Sequence, residues 1–328
     1  MVEQPTDSVQ ILLAKGGKAY HHGDYETAEI AYTEALQLAQ AVDDRSMVAS
    51  CLINLGAVHL QRGEHQRTLD CLSQSSQITQ ALGEDQKTAA ATHMHAGILM
   101  RTGKFAEAIQ YFDTSIAAYQ RMGAMVAMSG SLGARAICDL ALGHIEQART
   151  DLETAIELQR QHNHDPSDSL SKLGEVLYMS GAYNDAAEAL HESLVLCRAA
   201  AEHREVVVGL SRLTLVNIAL GQEQQAKAHL LEGAQIALEI AAAPTRLEII
   251  RSAAFYYSMV DETERSACLG GLLATHSAAP AFLLALSVDA LKSRLLASLD
   301  NERIDALWAE GTQLDIETTL QVLITELT

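Results

Sequence analysis

The stretch GKFAEAIQYF, from Gly103 to Phe112, decides the fold, because similar stretches recur along the chain. GDYETAEIAY begins at Gly23 and GAYNDAAEAL begins at Gly181, with the same order of glycine, small and large residues. The equivalent glycines are Gly23, Gly63, Gly103, Gly143, Gly181 and Gly221. Their spacings are 40, 40, 40, 38 and 40 residues. A fixed period in this range is typical of proteins built from stacked repeats.

Each glycine lies between two segments that have helical periodicity. VASCLINLGAVHLQR (48–62) precedes Gly63, and AEAIQYFDTSIAAYQ (106–120) follows Gly103. Apolar residues recur in both at steps of three and four, as on one face of a helix. Glycine readily takes the left-handed conformation that ends a helix. Each period therefore predicts a pair of antiparallel helices of about 40 residues.

The second helix of each pair carries a code of small, large and small residues, as in Ala108, Phe112 and Ser115. Steps of four and three place all three on one face, where small residues allow close approach of helices. The code decays near Asp261, one further period along, where Ser266, Gly270 and Leu273 replace it. We therefore predict a degenerate seventh unit.

These motifs resemble those of tetratricopeptide repeats, whose pattern includes L-G-x-x-Y followed by A-x-x-x-F. The matching residues are Leu55-Gly56, Leu173-Gly174 and Ala108 with Phe112. The resemblance implies an all-α, right-handed superhelical solenoid of about seven helix pairs over residues 1–276, closed by a helical cap over 277–328. The period of 40 exceeds the 34 residues of the family, and the family's tryptophan and terminal proline are missing.

The C-terminal segment carries a second resemblance. ALWAEGTQLDIETTLQVLI (306–324) is similar to the end of tetratricopeptide tails in bacterial signalling ATPases and transcription regulators, which have W-x-x-G before an amphipathic helix. This resemblance implies a sensor or arm that acts with a separate effector chain, because no G-x-x-x-x-G-K-[ST] phosphate loop occurs here. Trp308, the single tryptophan, is predicted to anchor the cap.

Composition restricts the partners. The chain has 42 acidic and 23 basic residues and a formal charge of −19, which disfavours direct binding to nucleic acid or an anionic membrane. No apolar run approaches the about 18 residues of a membrane span, and MVEQPTDSVQ at the start lacks a signal-peptide pattern. The five scattered cysteines indicate free thiols in a reducing compartment, so we expect a cytoplasmic protein.

Reactive constellations are not evident in the sequence. His93 and His95 stand two apart on a predicted helix and therefore point in different directions. His162 and His164 lack a neighbouring Cys or His ligand, and neither G-x-S-x-G nor H-E-x-x-H occurs. We predict no enzymatic activity, no cofactor and no metal site.

The family resemblance also implies where a partner binds, because the first helices of tetratricopeptide pairs line a concave groove. The matching positions in this chain are Ile53, Asn54, Ala57, Met94, Gly97, Met100, Arg101, Ile137, Leu140, Tyr178, Arg212 and Phe255. Only Asn54 fits the Lys, Arg and Asn clamp of chaperone-binding members, and no lysine joins it in the first three units. The apolar, Met-rich groove instead suits an amphipathic helix or apolar peptide of a protein partner.

Alternatives stay open at this stage. The groove residues could instead pack against neighbouring helices or the chain's own cap. The chain could be a scaffold or adaptor, a ligand- or peptide-sensing module of a signalling system, or a homo-oligomer that pairs through its apolar C-terminal helices.

Overall fold

The computed structural model describes residues 5–240, 242–276 and 289–328, and within these ranges the chain consists of helices and short turns without strands. The helices are α1 (Pro5–His21), α2 (Tyr25–Ala41), α3 (Arg45–Gln61), α4 (His65–Leu82), α5 (Asp85–Arg101), α6 (Phe105–Met122), α7 (Met125–Ala141), α8 (Ile145–Gln161), α9 (Ser167–Met179), α10 (Tyr183–Ala199), α11 (His203–Ala219), α12 (Glu223–Glu239), α13 (Ala243–Met259), α14 (Thr263–Thr275), α15 (Asn301–Gly311) and α16 (Ile316–Leu327). The prediction of an all-α chain of paired helices is confirmed.

The predicted C-terminal cap is described only in part by the structure. The predicted domain boundary at 276/277 and the beginning of the predicted cap fall on residues 277–288, which lie outside the described residues. Residues 289–295 are helical and precede α15. None of the described helices has the length and hydrophobicity needed to cross a bilayer.

The turns repeat every 20 residues rather than every 40. The six glycines that define the period all have positive φ, for example +77° at Gly103. The turns between one pair and the next are also left-handed, at Asp43, Gly83, Gly123, Asn163 and Ala201. Most helices have 17 or 18 residues and are joined by turns of two or three. Both helices of a pair thus have nearly the same length, and together with their turns they account for the 40-residue period.

The seventh pair keeps this turn without its glycine. Asp261 has a φ of +62°, and the N–H of Glu262 donates to the carbonyl of Tyr257 at 2.9 Å. The third pair has the same bond, from the N–H of Lys104 to the carbonyl of Leu99 at 2.9 Å. Aspartate tolerates the left-handed region better than most residues. The degenerate unit has therefore lost the sequence motif but kept the geometry.

We expect Ala201→Gly to stabilise the protein. Ala201 is exposed and has a φ of +56°, a conformation that costs an L-residue about 1–2 kcal/mol. The greater freedom of glycine in the unfolded chain offsets about 0.4–1 kcal/mol of this gain. A net increase of about 0.5–1 kcal/mol is expected, and urea unfolding at equilibrium measures it.

Gly123→Ala is the matched control for this change. Gly123 has a φ of +68°, and a Cβ added there would meet no atom within 4 Å, so only the backbone conformation opposes alanine. Its unfolding midpoint should fall. A lower midpoint for Ala201→Gly would contradict the prediction.

Close contacts explain the small and large residues of the code. A Cβ added at Gly174 in α9 would lie 2.4 Å from Cγ of Leu190 in α10, which is fully buried. Gly16 makes the same approach to Tyr32. The glycine of the Leu-Gly motif therefore receives the large residue of the second helix, which allows the two helices of a pair to pack closely.

Buried serines form a second repeated contact within the pairs. Ser75 Oγ donates to the carbonyl of Ala49 at 3.0 Å, and Ser193 Oγ donates to that of Ser167 at 2.7 Å. Ser115 makes the equivalent bond to the carbonyl of Ala89. Each bond joins the second helix to the N-terminal part of its partner helix, so the hydroxyl is satisfied although it is buried.

The chain forms two compact units, Met1–His162 and Asn163–Thr328. In the first unit, α1 to α8 form four pairs, and each first helix packs on the second helix of its own pair and of the pair before it. The second unit contains α9 to α16. There, α15 packs on α14, while α16 packs on α12 and α13.

Glycines and Trp308 bring α14 and α15 into backbone contact. A Cβ at Gly271 would lie 2.1 Å from the carbonyl oxygen of Trp308, and one at Gly311 would lie 1.9 Å from that of Cys268. The Trp308 ring lies against Gly270, where a Cβ would be 2.8 Å from Cη2. Gly270 thus replaces the large residue of the code because Trp308 fills its place.

Candidate partner-binding site

The first helices of the first unit share a half-exposed face. We name this face the apolar stripe, and it consists of Ile53, Ala57 and Leu60 in α3, Met94, Gly97 and Met100 in α5, and Ala134, Ile137 and Ala141 in α7. Steps of three and four keep each set on one side of its helix. The stripe is continuous across helices because α3 contacts α5 and α5 contacts α7.

The stripe rests on the core and is partly open to solvent. Ile53, Leu60 and Met94 pack against the buried cluster that contains Leu72 and Ile98. The stripe residues of α3 and α5 therefore rest on the same part of the core. Met100 and Ala134 pack against the next cluster, which contains Phe112. One edge of each of these side chains is therefore held by the core, while the other remains available for contact.

Gly97 forms an open position in the middle of the stripe. A Cβ added there would meet no atom within 4 Å, unlike the glycines that receive Tyr32 and Leu190. Ala57 occupies the equivalent place in α3 and is also half-exposed. Small residues next to methionines leave space above the helices into which an apolar side chain could fit.

The polar residues predicted for this groove lie beside the stripe. Asn54 is half-exposed. Arg101 is exposed at the end of α5 and has no ion pair within the described part of the chain. Leu140 differs from the expectation for a groove residue, because it is only 7% exposed and contributes to packing.

In the second unit the predicted groove residues lie beside ion pairs. Arg212 in α11 donates from Nη2 to Glu175 Oε2 in α9 at 2.6 Å and from Nη1 to the Ser171 hydroxyl. In α13, Arg251 donates to Glu248 Oε2 at 2.7 Å. These pairs are largely buried, so a partner would have to displace internal hydrogen bonds to use these cations.

Tyr178 and Phe255 are the aromatic groove residues of this unit. Both are half-buried and pack against the large core cluster of the second unit. Burial raises the pKa of Tyr178, and the neighbouring Arg251 opposes this shift. Both residues therefore pack against the chain itself, which is one of the two alternatives for the groove residues.

The two histidines of the HMH sequence are held in different environments. His93 Nδ1 lies 2.9 Å from the Ser131 hydroxyl, whereas the buried His95 ring stacks on Tyr111 with centroids 3.8 Å apart. Burial lowers the pKa of His95 to about 4. In the described ranges, no group of three or more His, Cys, Asp or Glu side chains is arranged to hold a metal ion.

The C-terminal helix uses its apolar face within its own unit. Leu320, Leu323 and Leu327 of α16 are buried, on a helix that packs on α12 and α13. Pairing of two copies through the C-terminal helices would need other side chains, and it stays a prediction.

A pocket between α13, α14 and α16 was not predicted from the sequence. Its volume is about 520 Å³, and its lining includes Ile250, Leu269 and Val322. The sequence predicted a C-terminal helical cap anchored by Trp308. The lining residues are distant in sequence, however, and only the position of α16 brings them together.

Family models of the tetratricopeptide repeat match this chain. One model matches residues 9–81 and 47–121, and a second matches residues 134–202, so the matched residues make up more than half of the chain. A curated relative, the Tonsoku-like protein of Danio rerio, is 24% identical over 184 residues. These residues are 56% of this chain but 12% of that protein, so the chain spans only a small part of this relative.

Solved structures with the same fold cover most of the chain. The apo form of RapI has a TM-score of 0.66 at 15% identity, over 88% of this chain and 99% of its own. A signal transduction ATPase with numerous domains from Pyrococcus horikoshii, which has a tetratricopeptide repeat sensor, has a TM-score of 0.64 at 14% identity. That match covers 99% of this chain and 44% of the ATPase.

Proposed function

Because the chain belongs to the tetratricopeptide-repeat family, we propose that it is a non-enzymatic scaffold that holds an apolar segment of a protein partner on the apolar stripe. The family fold supports a role in protein interaction. The segment is an amphipathic helix or an extended peptide, which are two common ways in which proteins recognise short segments.

The half-exposed methionines around the open position at Gly97 carry this proposal. Met94 and Met100 flank Gly97 on α5, and their flexible thioether side chains adapt to irregular apolar surfaces. A segment laid along α3, α5 and α7 would cover these side chains and remove apolar area from water, which is the main favourable term in such binding. Arg101, without an ion pair among the described residues, offers a cation at the edge of the stripe.

We expect Met100→Glu to weaken binding of the partner by a factor of about 100 or more. The carboxylate would be covered by an apolar segment without a counter-ion, which costs about 3 kcal/mol or more. Circular dichroism should match the wild type at the temperature of the titration, because the carboxylate can turn toward solvent at this half-exposed position. A small fall in the unfolding midpoint is expected, since Met100 also packs against the cluster around Phe112. The measurement is titration of the variant with the partner that the tagged wild-type chain retains from a lysate of its host.

Met122→Glu is the matched control, since Met122 is 43% exposed on α6 and lies outside the stripe. It should bind like the wild type. Wild-type affinity in both Met94→Glu and Met100→Glu would refute the role of the apolar stripe.

A second candidate is a regulatory sensor that acts with a separate effector chain. The likeness to an ATPase with a tetratricopeptide repeat sensor and the W-x-x-G ending support this candidate. Binding of a peptide or small ligand would then shift the arrangement of the repeats. Solution scattering distinguishes the two candidates, because the sensor predicts a change in the radius of gyration on binding and a static scaffold does not.

A further inference from the structure

The pocket between α13, α14 and α16 has a preformed apolar floor. Ile250 and Ala253 of α13 and Leu323 of α16 are buried beneath it, and Leu269 of α14 forms a side. α14 and α16 both pack on α13, and the pocket is the gap that they leave above it. Its volume of about 520 Å³ lies in the range typical of sites for small organic molecules.

The volume of the pocket and the elements around it favour a compact small molecule. Gln313, Leu314 and Asp315, in the turn between α15 and α16, also line the pocket. This turn connects a helix packed on α14 to a helix packed on α13. A compact molecule of this volume would be in contact with all three helices and with this turn.

Two exposed apolar side chains border the opening. Val322 is 44% exposed and Leu314 is 40% exposed, and both line the same pocket. Converging exposed apolar side chains above an apolar floor are a common property of ligand sites. A bound molecule would cover both of them.

The charged side chains at the pocket already have partners within the chain. Arg265 pairs with Glu326 and lies over the ring of Tyr257, 4.7 Å from its centroid. Tyr257 also donates to Glu326 Oε2 at 2.8 Å. Asp315 caps α16 by accepting from the N–H of Thr318 at 2.8 Å. An anionic ligand would find no unpaired cation among the described lining residues, and the net charge of −19 further disfavours anions.

We propose that this pocket binds an uncharged, mainly apolar small molecule, and that the bound molecule joins α16 to α13 and α14. The pocket belongs to the C-terminal part of the second unit, whereas the apolar stripe belongs to the first. This binding activity is therefore separate from the proposed scaffold function.

Fluorescence titration of the full chain with 1-aminoanthracene, a neutral apolar probe, tests the proposal. The wild type should bind one probe per chain with saturation, and dodecan-1-ol should compete. Val322→Trp places an indole over the opening, and Val322→Asp places a charge at its apolar edge. Each should weaken probe binding about tenfold or more.

Thr325→Trp is the matched control, because Thr325 is exposed on α16 and does not line the pocket. It should bind the probe like the wild type. Absence of saturable binding, or unchanged affinity in both Val322 variants, would overturn the proposal. Equal competition by the dodecanoate anion and dodecan-1-ol would overturn the assignment to uncharged ligands.

Discussion

Replacing Gly311 with alanine is expected to separate α15 from α14 and to destabilise the second unit by about 3 kcal/mol, near the upper end for overpacked sites. The added Cβ would lie 1.9 Å from the carbonyl oxygen of Cys268 and close to Cα of Gly271. Both obstacles are backbone atoms, so no change of rotamer relieves the clash. The two helices must move apart, and the buried contacts around Trp308 are then lost.

The single tryptophan makes this result directly measurable. Trp308 lies against Gly270 and packs on the core of the second unit, so its emission should shift to longer wavelength when α15 is released. Chemical unfolding of the same sample gives the loss of stability.

Gly130→Ala is the matched control for the glycine substitution. Gly130 is an exposed residue in α7, and a Cβ there would meet no atom within 4 Å. Removing a glycine from a helix interior should raise stability by about 1 kcal/mol. Unchanged Trp308 emission and stability in Gly311→Ala would show that α14 and α15 are not in backbone contact.

Replacing Arg135 with methionine is expected to cost about 3 kcal/mol, near the lower end of the range for breaking a buried ion pair. Arg135 in α7 donates from Nε and Nη2 to the two carboxylate oxygens of Asp151 in α8, both at 2.7 Å. These hydrogen bonds hold the pKa of the guanidinium above its usual value. Asp151 is only 8% exposed and would be left as a buried carboxylate without its cation.

The double variant Arg135→Met with Asp151→Leu separates the charge from the packing. It removes both charges and should recover most of the lost stability, because apolar pairs of similar size often replace buried ion pairs without loss. Asp113 also pairs with Arg135 but is about half-exposed, so its carboxylate can remain hydrated. A double variant as unstable as the single variant would show that packing by Arg135, and not its charge, is what matters.

The helix pairs could be predicted because their signals are local. A glycine with positive φ and a small residue facing a large one act within a single pair, as at Gly174 and Leu190. The left-handed turns between pairs were not predicted, because unrelated residues such as Asp43, Gly123 and Ala201 occupy them. Backbone geometry repeats there although side-chain chemistry does not.

The candidate site could be predicted only in part. Repeat position indicated which side of each first helix bears the apolar stripe, because helical periodicity fixes that side. It could not indicate how far neighbouring helices cover a residue. Leu60 and Met100 are half-exposed, whereas Leu140 at the equivalent position is buried. Nor could it indicate that Arg212 and Glu175 pair with each other, which depends on packing between α9 and α11.

Because the turns are nearly uniform, the number of helix pairs in the first unit can change without a new type of turn. Gly63 and Gly103 have φ values of +74° and +77° and end equivalent helices, α3 and α5. A duplication or deletion of the segment between them would therefore create a junction that the chain already contains. Duplication would lengthen and deletion would shorten the binding face in whole pairs, without a new type of turn. Each added or removed pair changes the scaffold by about 40 residues. The length of partner segment that the scaffold can hold would change with it.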